Sequence, residues 1–305
     1  MKQGDNPNWF ANSPLERANI EIDQSETIAA HLKDEKSALV PLWRGDPLMA
    51  DGKAVFLSVA AISEFPEDAT LVYLGTLNGV AHFAIDASSA SDNAIGAPFA
   101  EIGEYTQLRY AAGALSKDEI AIIGHARWLF EWHRKHTFCA NCGALTLVIA
   151  GGAKRKCETC EAEHFPRTDP VAIVLAVHNG ACLLGRNPKF PPGFVSALAG
   201  YIEPAETPEE AAKRELFEEA GVILTDVRYQ FSQPWPFTTS LMMGFIADAQ
   251  SRDLTLDQNE IAEAHWVDLE DMRALINGEE RLGIFLPPKF TIARQLIDRW
   301  AQDKA

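Results

Sequence analysis

The sequence predicts a mixed α/β (α+β) protein in three parts: a mostly β N-terminal domain with a linking helix over 1–130, a four-cysteine metal ribbon over 131–168, and an α/β domain over 169–305. Three observations carry this expectation. Up to about residue 115, short apolar runs are separated by turn residues. Two C-x-x-C pairs follow, Cys139/Cys142 and Cys157/Cys160. From Pro170 onward strand-like runs alternate with helical patterns, and one of the helices is crowded with glutamates.

Length and composition set bounds on what the chain does. At 305 residues it is long for a single domain. A formal charge of −16 leaves no basic surplus for coating nucleic acid, although a local basic patch stays open. The first residues, MKQGDNPNWF, contain no apolar run, and no segment reaches the roughly 18–20 apolar residues needed to span a bilayer. The last residues, AQDKA, carry no targeting tripeptide or lipidation cysteine. The expectation is a cytoplasmic protein with no membrane partner.

In the first part, Ala38–Trp43, Val55–Ala60, Leu71–Leu74 and Val80–Ile85 read as apolar runs split by Gly45-Asp46, Asp51-Gly52 and Asn78-Gly79. Asn-Gly between two alternating runs is a strong hairpin signal. Residues 116–136 read as a helix, with Ser116 and Glu119 as a capping box and Ile120, Ile123, Ala126 and Phe130 at helical spacing. His125, His133 and His136 lie on it, too unevenly spaced for one metal site, and are expected on its surface.

The cysteine pairs are spaced C-x2-C-x14-C-x2-C, which suits four thiolates around a tetrahedral zinc. Disulfides or a redox C-x-x-C are the competing readings, and a second pair is not needed for redox work. A four-thiolate site has no open position, so its zinc is structural. Cys182, inside ACLL, reads as a core residue. Lys154-Arg155-Lys156 is the one dense basic cluster, read as a solvated ribbon loop, with contact to a nucleotide or RNA as the alternative.

In the third part, Val171–Val177 and Ala181–Gly185 read as strands joined at His178-Asn179-Gly180, followed by strands near 222–231, 241–247 and 265–267 and helices near 269–277 and 291–301. Between them lies GYIEPAETPEEAAKRELFEEAGV, from Gly200 to Val222. Thr207 is a good N-cap, Pro208 suits the first helical position, Glu210 completes a capping box and Gly221 suits a left-handed stop. Glu215, Glu218 and Glu219 are related by i,i+3 and i,i+4 and share a face, while Ala212, Leu216 and Ala220 fall on a neighbouring one. A solvated acidic face is one reading. A hard divalent cation shared with a diphosphate is the other.

Written as G-x5-E-x7-R-E-L-x-E-E-x-G-V, with Gly200, Glu206, Arg214, Glu215, Leu216, Glu218, Glu219, Gly221 and Val222 in place, the stretch resembles the complete signature of the Nudix hydrolases. SQPWPFTTS, Ser232 to Ser240, is similar to the SQPWPFPxS element of the NADH pyrophosphatase subfamily, with Thr238 where proline is usual. The cysteine pairs ahead of the hydrolase part are a further likeness. The resemblance implies an α/β/α Nudix sandwich that hydrolyses the pyrophosphate of NAD(H) to AMP and nicotinamide mononucleotide. It also implies catalytic Mg2+ or Mn2+, a structural Zn2+ and a homodimer.

By the same resemblance Glu215, Glu218, Glu219 and Glu260 are the catalytic metal and base residues, Glu260 having a plain surface acid as its competing reading. Tyr201, Gln233, Pro234, Trp235, Pro236, Phe237, Thr238, Thr239, Ser240 and Ala293 are the nucleotide-binding positions, and Cys139, Cys142, Cys157 and Cys160 hold zinc. Arg214 and Glu206 are expected to brace the loop and helix. Alternatives are removal of a 5′ NAD cap from RNA by the same site, hydrolysis of another nucleoside diphosphate derivative such as ADP-ribose, or an inactive zinc-ribbon protein that binds nucleic acid.

Overall fold

The structure is a computed structural model that describes residues 8–17 and 25–303. The chain divides into two units. One comprises Phe10–Thr168 with Trp235–Thr239; the other comprises Asp169–Pro234 and Ser240–Ala305, together with the stretch ending at Trp9.

In the first unit, α1 (Ser25–His31) precedes strands β1 (Ala38–Trp43), β2 (Asp46–Ala50), β3 (Lys53–Ala54), β4 (Leu57–Ser58), β5 (Leu71–Leu77), β6 (Val80–Asp86) and β7 (Glu104–Tyr105). These seven strands form one sheet, ordered β3-β2-β1-β6-β5 with β4 on β1 and β7 on β2. Asn78 and Gly79 both have positive φ (51° and 78°), as a type I′ hairpin turn between β5 and β6 requires. The apolar run Val55–Ala60 gives only the two-residue β4 before the chain coils into a 3-10 turn, Val59–Glu64. Ser58 causes this switch, its side chain accepting the Ala60 N–H as a cap.

Next come the short α2 (Leu108–Ala111) and α3 (Lys117–Lys135), whose Ser116/Glu119 capping box is formed in full. The expectation that the α3 histidines lie on its surface fails for His125, whose Nδ1 is buried, and more fully for His133. This ring is buried, its Nε2 hydrogen bonding to Gly152 O at 2.9 Å, while Arg155 Nη1 donates to its Nδ1 at 3.1 Å. Burial and the Arg155 charge hold the imidazole down at about 4, so it is neutral.

The ribbon is a three-stranded sheet of β8 (Thr146–Ile149), β9 (Lys154–Cys157) and β10 (Glu163–His164). Lys154-Arg155-Lys156 is therefore a strand and not the expected solvated loop. The period-2 alternation of β9 turns Arg155 inward. It is 7% exposed and donates to Thr146 Oγ1 (2.7 Å) and Thr146 O (2.8 Å), while Lys154 is held by Glu163 at 2.9 Å.

The second unit contains β11 (Asp169–His178), β12 (Ala181–Arg186), β13 (Leu198–Tyr201), α4 (Pro208–Ala220), β14 (Leu224–Trp235), β15 (Ser240–Ala249), β16 (Glu263–Asp268), α5 (Leu269–Ile276) and α6 (Ile292–Asp303). Its sheet runs β14-β15-β11-β12-β16, with β13 on β11. The continuous apolar run of β11 is explained by helices on both faces. Ala172, Val174 and Ala176 pack with Ala212, Leu216 and Ala220 of α4. Ile173, Leu175 and Val177 pack with Met272 of α5 and Leu296, Ile297 and Trp300 of α6. This is an α/β/α sandwich with Cys182 inside it, fully buried.

One pairing pattern occurs in both sheets. Strand β1 is antiparallel to β2 and β4 and parallel to β6, just as β11 is antiparallel to β12 and β13 and parallel to β15. The edges correspond as well, β7 on β2 matching β16 on β12. Between β4 and β5 the first unit has the six-residue turn Val59–Glu64, whereas between β13 and β14 the second has the thirteen-residue α4.

Candidate active site and thiolate cluster

Helix α4 starts and stops where its sequence dictates. Thr207 accepts from Glu210 N and Glu210 reciprocates to Thr207 N, Pro208 begins the helix, and Gly221 ends it at φ 70°. Arg214 then ties the helix to the preceding loop. Its Nε and Nη2 donate to the two carboxylate oxygens of Glu206, each at 2.8 Å, and Nη2 also reaches Tyr201 O at 2.9 Å. Its Nη1 meets Glu215 at 2.7 Å and Glu218 at 3.2 Å. A planar guanidinium with five donors can make all these bonds at once, which a lysine cannot.

The three glutamates of α4 occupy different environments. Glu215 lies against Gly200 of β13 so closely that a Cβ on Gly200 would fall 1.8 Å from the carboxyl carbon. Burial raises the Glu215 pKa against the pull of Arg214, with Glu218 and Glu260 adding repulsion. Glu218 is exposed. Glu219 is only 8% exposed, and its Oε2 has no hydrogen-bond partner. Burial first, then the charges of Glu215, Glu260 and Glu218, push its carboxyl up to about 8.

Glu260 belongs to the same field although it is 41 residues from Glu219 in sequence. The loop between β15 and β16 is held on the last turn of α4: Thr255 N donates to Ala220 O (2.8 Å) and Asp257 N to Glu219 O (3.0 Å). Asp257 O in turn accepts from Glu260 N (3.1 Å) and Ile261 N (2.8 Å), and Ile261 enters the α4 core. A desolvated carboxylate oxygen without a donor, surrounded by three further acids, suits a hard divalent cation. The four residues fit such a group. Their oxygens do not close into a cage: among the described residues, only the four cysteines bring three or more potential ligand atoms within 4.8 Å of one another. Open acids of this kind leave room for water and phosphate oxygens.

The nucleotide-binding positions separate into groups. Tyr201 presents an exposed ring (63%) directly after Gly200. Ala293 is buried in α6. Gln233 is wholly buried, its amide nitrogen donating to Phe290 O (2.8 Å) and Trp9 O (3.1 Å) and its oxygen accepting Ile292 N (2.8 Å). It is a strut between β14 and the start of α6. Pro234 follows in β14, which runs on to Trp235, so the expected aromatic loop begins as strand. Ser240 opens β15 and is buried. Trp235, Pro236, Phe237, Thr238 and Thr239 group with the first unit. There Arg127 Nε donates to Pro236 O (2.9 Å), and the Arg109 and Arg127 guanidiniums lie 4.5 and 5.0 Å from the Phe237 ring centre.

In the ribbon, Cys139, Cys142, Cys157 and Cys160 are unbridged, with Sγ separations of 3.6 Å (Cys139 to Cys160) and 3.5 Å (Cys142 to Cys157). Thiolates at tetrahedral Zn–S distances sit roughly 3.8 Å apart, so the cluster fits zinc and not a pair of disulfides.

Three sequence profiles match the chain: an NADH pyrophosphatase-like rudimentary NUDIX domain over 36–132, an NADH pyrophosphatase zinc ribbon domain over 134–165, and a NUDIX domain over 166–287. The protein named NAD-capped RNA hydrolase NudC from Chromobacterium violaceum is 38% identical over 198 residues, 65% of this chain and 71% of that one. The chain belongs to the Nudix hydrolases, in the NADH pyrophosphatase subfamily. NAD-capped RNA hydrolase NUDT12 of Homo sapiens is 40% identical over 196 residues, 61% of this chain, and the match spans 42% of that longer protein. Nudix hydrolase 19, chloroplastic, of Arabidopsis thaliana is 36% identical over 249 residues, 76% of this chain and 56% of that one.

As a Nudix protein, the chain holds site features that its motif alone did not expose. His164 Nε2 lies 3.2 Å from Cys139 Sγ, and Asn141 donates to Cys139 and Cys160 (3.4 and 3.5 Å), giving the thiolates outer-shell partners. The reason for Gly200 was also hidden, because a signature shows that a glycine stands there but not which side chain uses its space.

Proposed function

We propose that this chain hydrolyses the pyrophosphate bond of NAD(H), giving AMP and nicotinamide mononucleotide, with Mg2+ or Mn2+ at Glu215, Glu218, Glu219 and Glu260. The observation that carries this is the buried, unpartnered Oε2 of Glu219 amid the other three acids. A bound divalent ion supplies charge neutralisation at the diphosphate and a lowered pKa for water. Arg214 fixes the direction of Glu215 and Glu218, and Gly200 leaves the space in which the Glu215 carboxylate rests. A glutamate takes the proton from the water that attacks one phosphorus, and the P–O–P bridge breaks to leave two monophosphates. Tyr201 offers a ring face for stacking beside this centre.

Removal of a 5′ NAD cap from RNA is the second reading, favoured by the names of the relatives from Chromobacterium violaceum and Homo sapiens. It uses the same chemistry on a longer substrate. We further propose zinc on the four cysteines and a homodimer, for which sedimentation would give twice 33.5 kDa.

The test is metal-dependent turnover of NADH, NAD+, ADP-ribose and a 5′-NAD-capped RNA side by side, with Glu218→Gln as the blank. AMP and reduced nicotinamide mononucleotide from NADH, absent in the blank, are expected. Preferential cleavage of ADP-ribose, or RNA binding with no turnover of any dinucleotide, would replace the proposal by the corresponding alternative.

A further inference from the structure

The loop between β12 and β13 and the loop between α5 and α6 build an aromatic ridge in the second unit. They are joined by backbone: Phe285 N donates to Gly193 O (2.8 Å) and Val195 N to Phe285 O (3.2 Å). Gly193 has φ +81°, and a Cβ there would meet Gly283 O at 2.7 Å, so the junction depends on glycine. Across it run three rings, Phe190 to Phe194 at 5.0 Å and Phe194 to Phe285 at 5.6 Å between centres. The outer two remain 46% and 47% exposed. Water-facing phenyl rings held in a row by a fixed backbone mark a surface built for contact.

Two observations say what covers it. Lys189 and Lys289 are exposed on these same loops, and neither amine enters an ion pair with a described residue, in a chain whose net charge is −16. The ridge is also moored beside the acidic centre. Arg186 bonds Glu263, which also accepts from Gly193 N at 3.4 Å, and Arg186 Nη1 donates to Phe190 O at 3.1 Å. Glu263 is three residues past Glu260, a span of at most about 11 Å of chain. Flat rings on loops that also carry exposed ammonium groups match a single nucleic acid strand, whose bases stack and whose phosphates take the cations.

We propose that Phe190, Phe194 and Phe285, with Lys189 and Lys289, form a stacking platform for the single-stranded RNA that follows a 5′ NAD cap. This rests on the reading that the glutamate centre cleaves NAD(H), and it goes beyond it by assigning residues that distinguish capped RNA from the free dinucleotide. The platform is assigned a part in binding the longer substrate, and the chemistry stays with the glutamate centre.

The test compares the full-length wild type with Phe190→Ala/Phe285→Ala and with Lys189→Ala/Lys289→Ala, on NADH and on a short NAD-capped RNA. For the phenylalanine pair the KM for capped RNA rises roughly tenfold, while kcat and KM for NADH stay unchanged. For the lysine pair the salt dependence of capped-RNA binding becomes shallower, its log–log slope falling by roughly one. An unchanged capped-RNA KM, or an equal loss on both substrates, overturns the platform. So does a loss of dimer mass with no effect on RNA, which would make the ridge a protein interface. If the wild type cleaves no NADH, the proposed function falls, and fluorescence anisotropy with the capped RNA still decides the platform: equal affinity in wild type and phenylalanine variant overturns it.

Discussion

Gly200 contributes empty space, and the Glu215 carboxylate occupies it. Because the clash in Gly200→Ala is with the far end of a flexible side chain, the fold should survive with a stability change of about 1 kcal/mol or less. Mn2+ affinity, read by titration calorimetry, should nevertheless fall at least tenfold as the carboxylate is displaced. Glu219 gives a second prediction at this scale. With its carboxyl pushed up to about 8, it is protonated at pH 7 and must lose that proton to bind a cation. Calorimetry in buffers of different ionisation enthalpy should show close to one proton released per Mn2+ at pH 7, none at pH 9.5, and none at either pH in Glu219→Gln. The identities of these residues were legible in the motif. Their unequal burial was not: helical spacing puts Glu215, Glu218 and Glu219 on one face, but only the packing of β13 and of the loop bearing Glu260 decides which becomes desolvated.

Among elements, α4 packs on β11 through Ala212, Leu216 and Ala220 and is tied to the preceding loop by Arg214. Arg214→Lys keeps the charge but cannot make the paired bonds to Glu206 together with those to Tyr201 O and Glu215. Thermal unfolding of the second unit should drop by several degrees, with kcat falling more than KM because Glu215 and Glu218 lose their alignment. Helix α3 makes a pH prediction. The folded-state pKa of His133 is about 4 against an ordinary 6.5, so the unfolded chain binds the extra proton first. The stability it contributes is fully present above pH 6.5 and is lost as pH falls toward 4, by up to about 3 kcal/mol. Urea midpoints measured across that window should fall steeply in wild type and less in His133→Gln. Capping signals told the limits of α3 and α4 to within a residue, since they are local. The buried partnership of His133 with Arg155 joins residues 22 apart and could not be read from either helix or strand spacing.

For the molecule as a whole, the thiolate cluster and the acidic centre should respond to different chelation. With zinc on Cys139, Cys142, Cys157 and Cys160 as proposed, its removal would free the four thiolates, and Arg155 links that sheet to α3. Calorimetry of zinc-stripped protein, or of Cys157→Ser, should show an earlier, broader transition that Mg2+ does not restore. The hairpin strands, the paired cysteines and the acid-rich helix were legible, in that order, from composition and motif. The correspondence between the two sheets was not, because strand pairing is set by backbone geometry that many unrelated side chains satisfy.

That doubled sheet speaks of ancestry. One gene segment copied in tandem would yield two scaffolds of the same pairing, of which one carries the glutamate-bearing α4 and the other has Val59–Glu64 at the matching place. A first copy relieved of chemistry would be free to diverge wherever the hydrophobic interior allows. A saturation scan under selection for turnover should record these two histories in one chain, tolerant at Val59–Glu64 and unforgiving from Gly200 to Gly221.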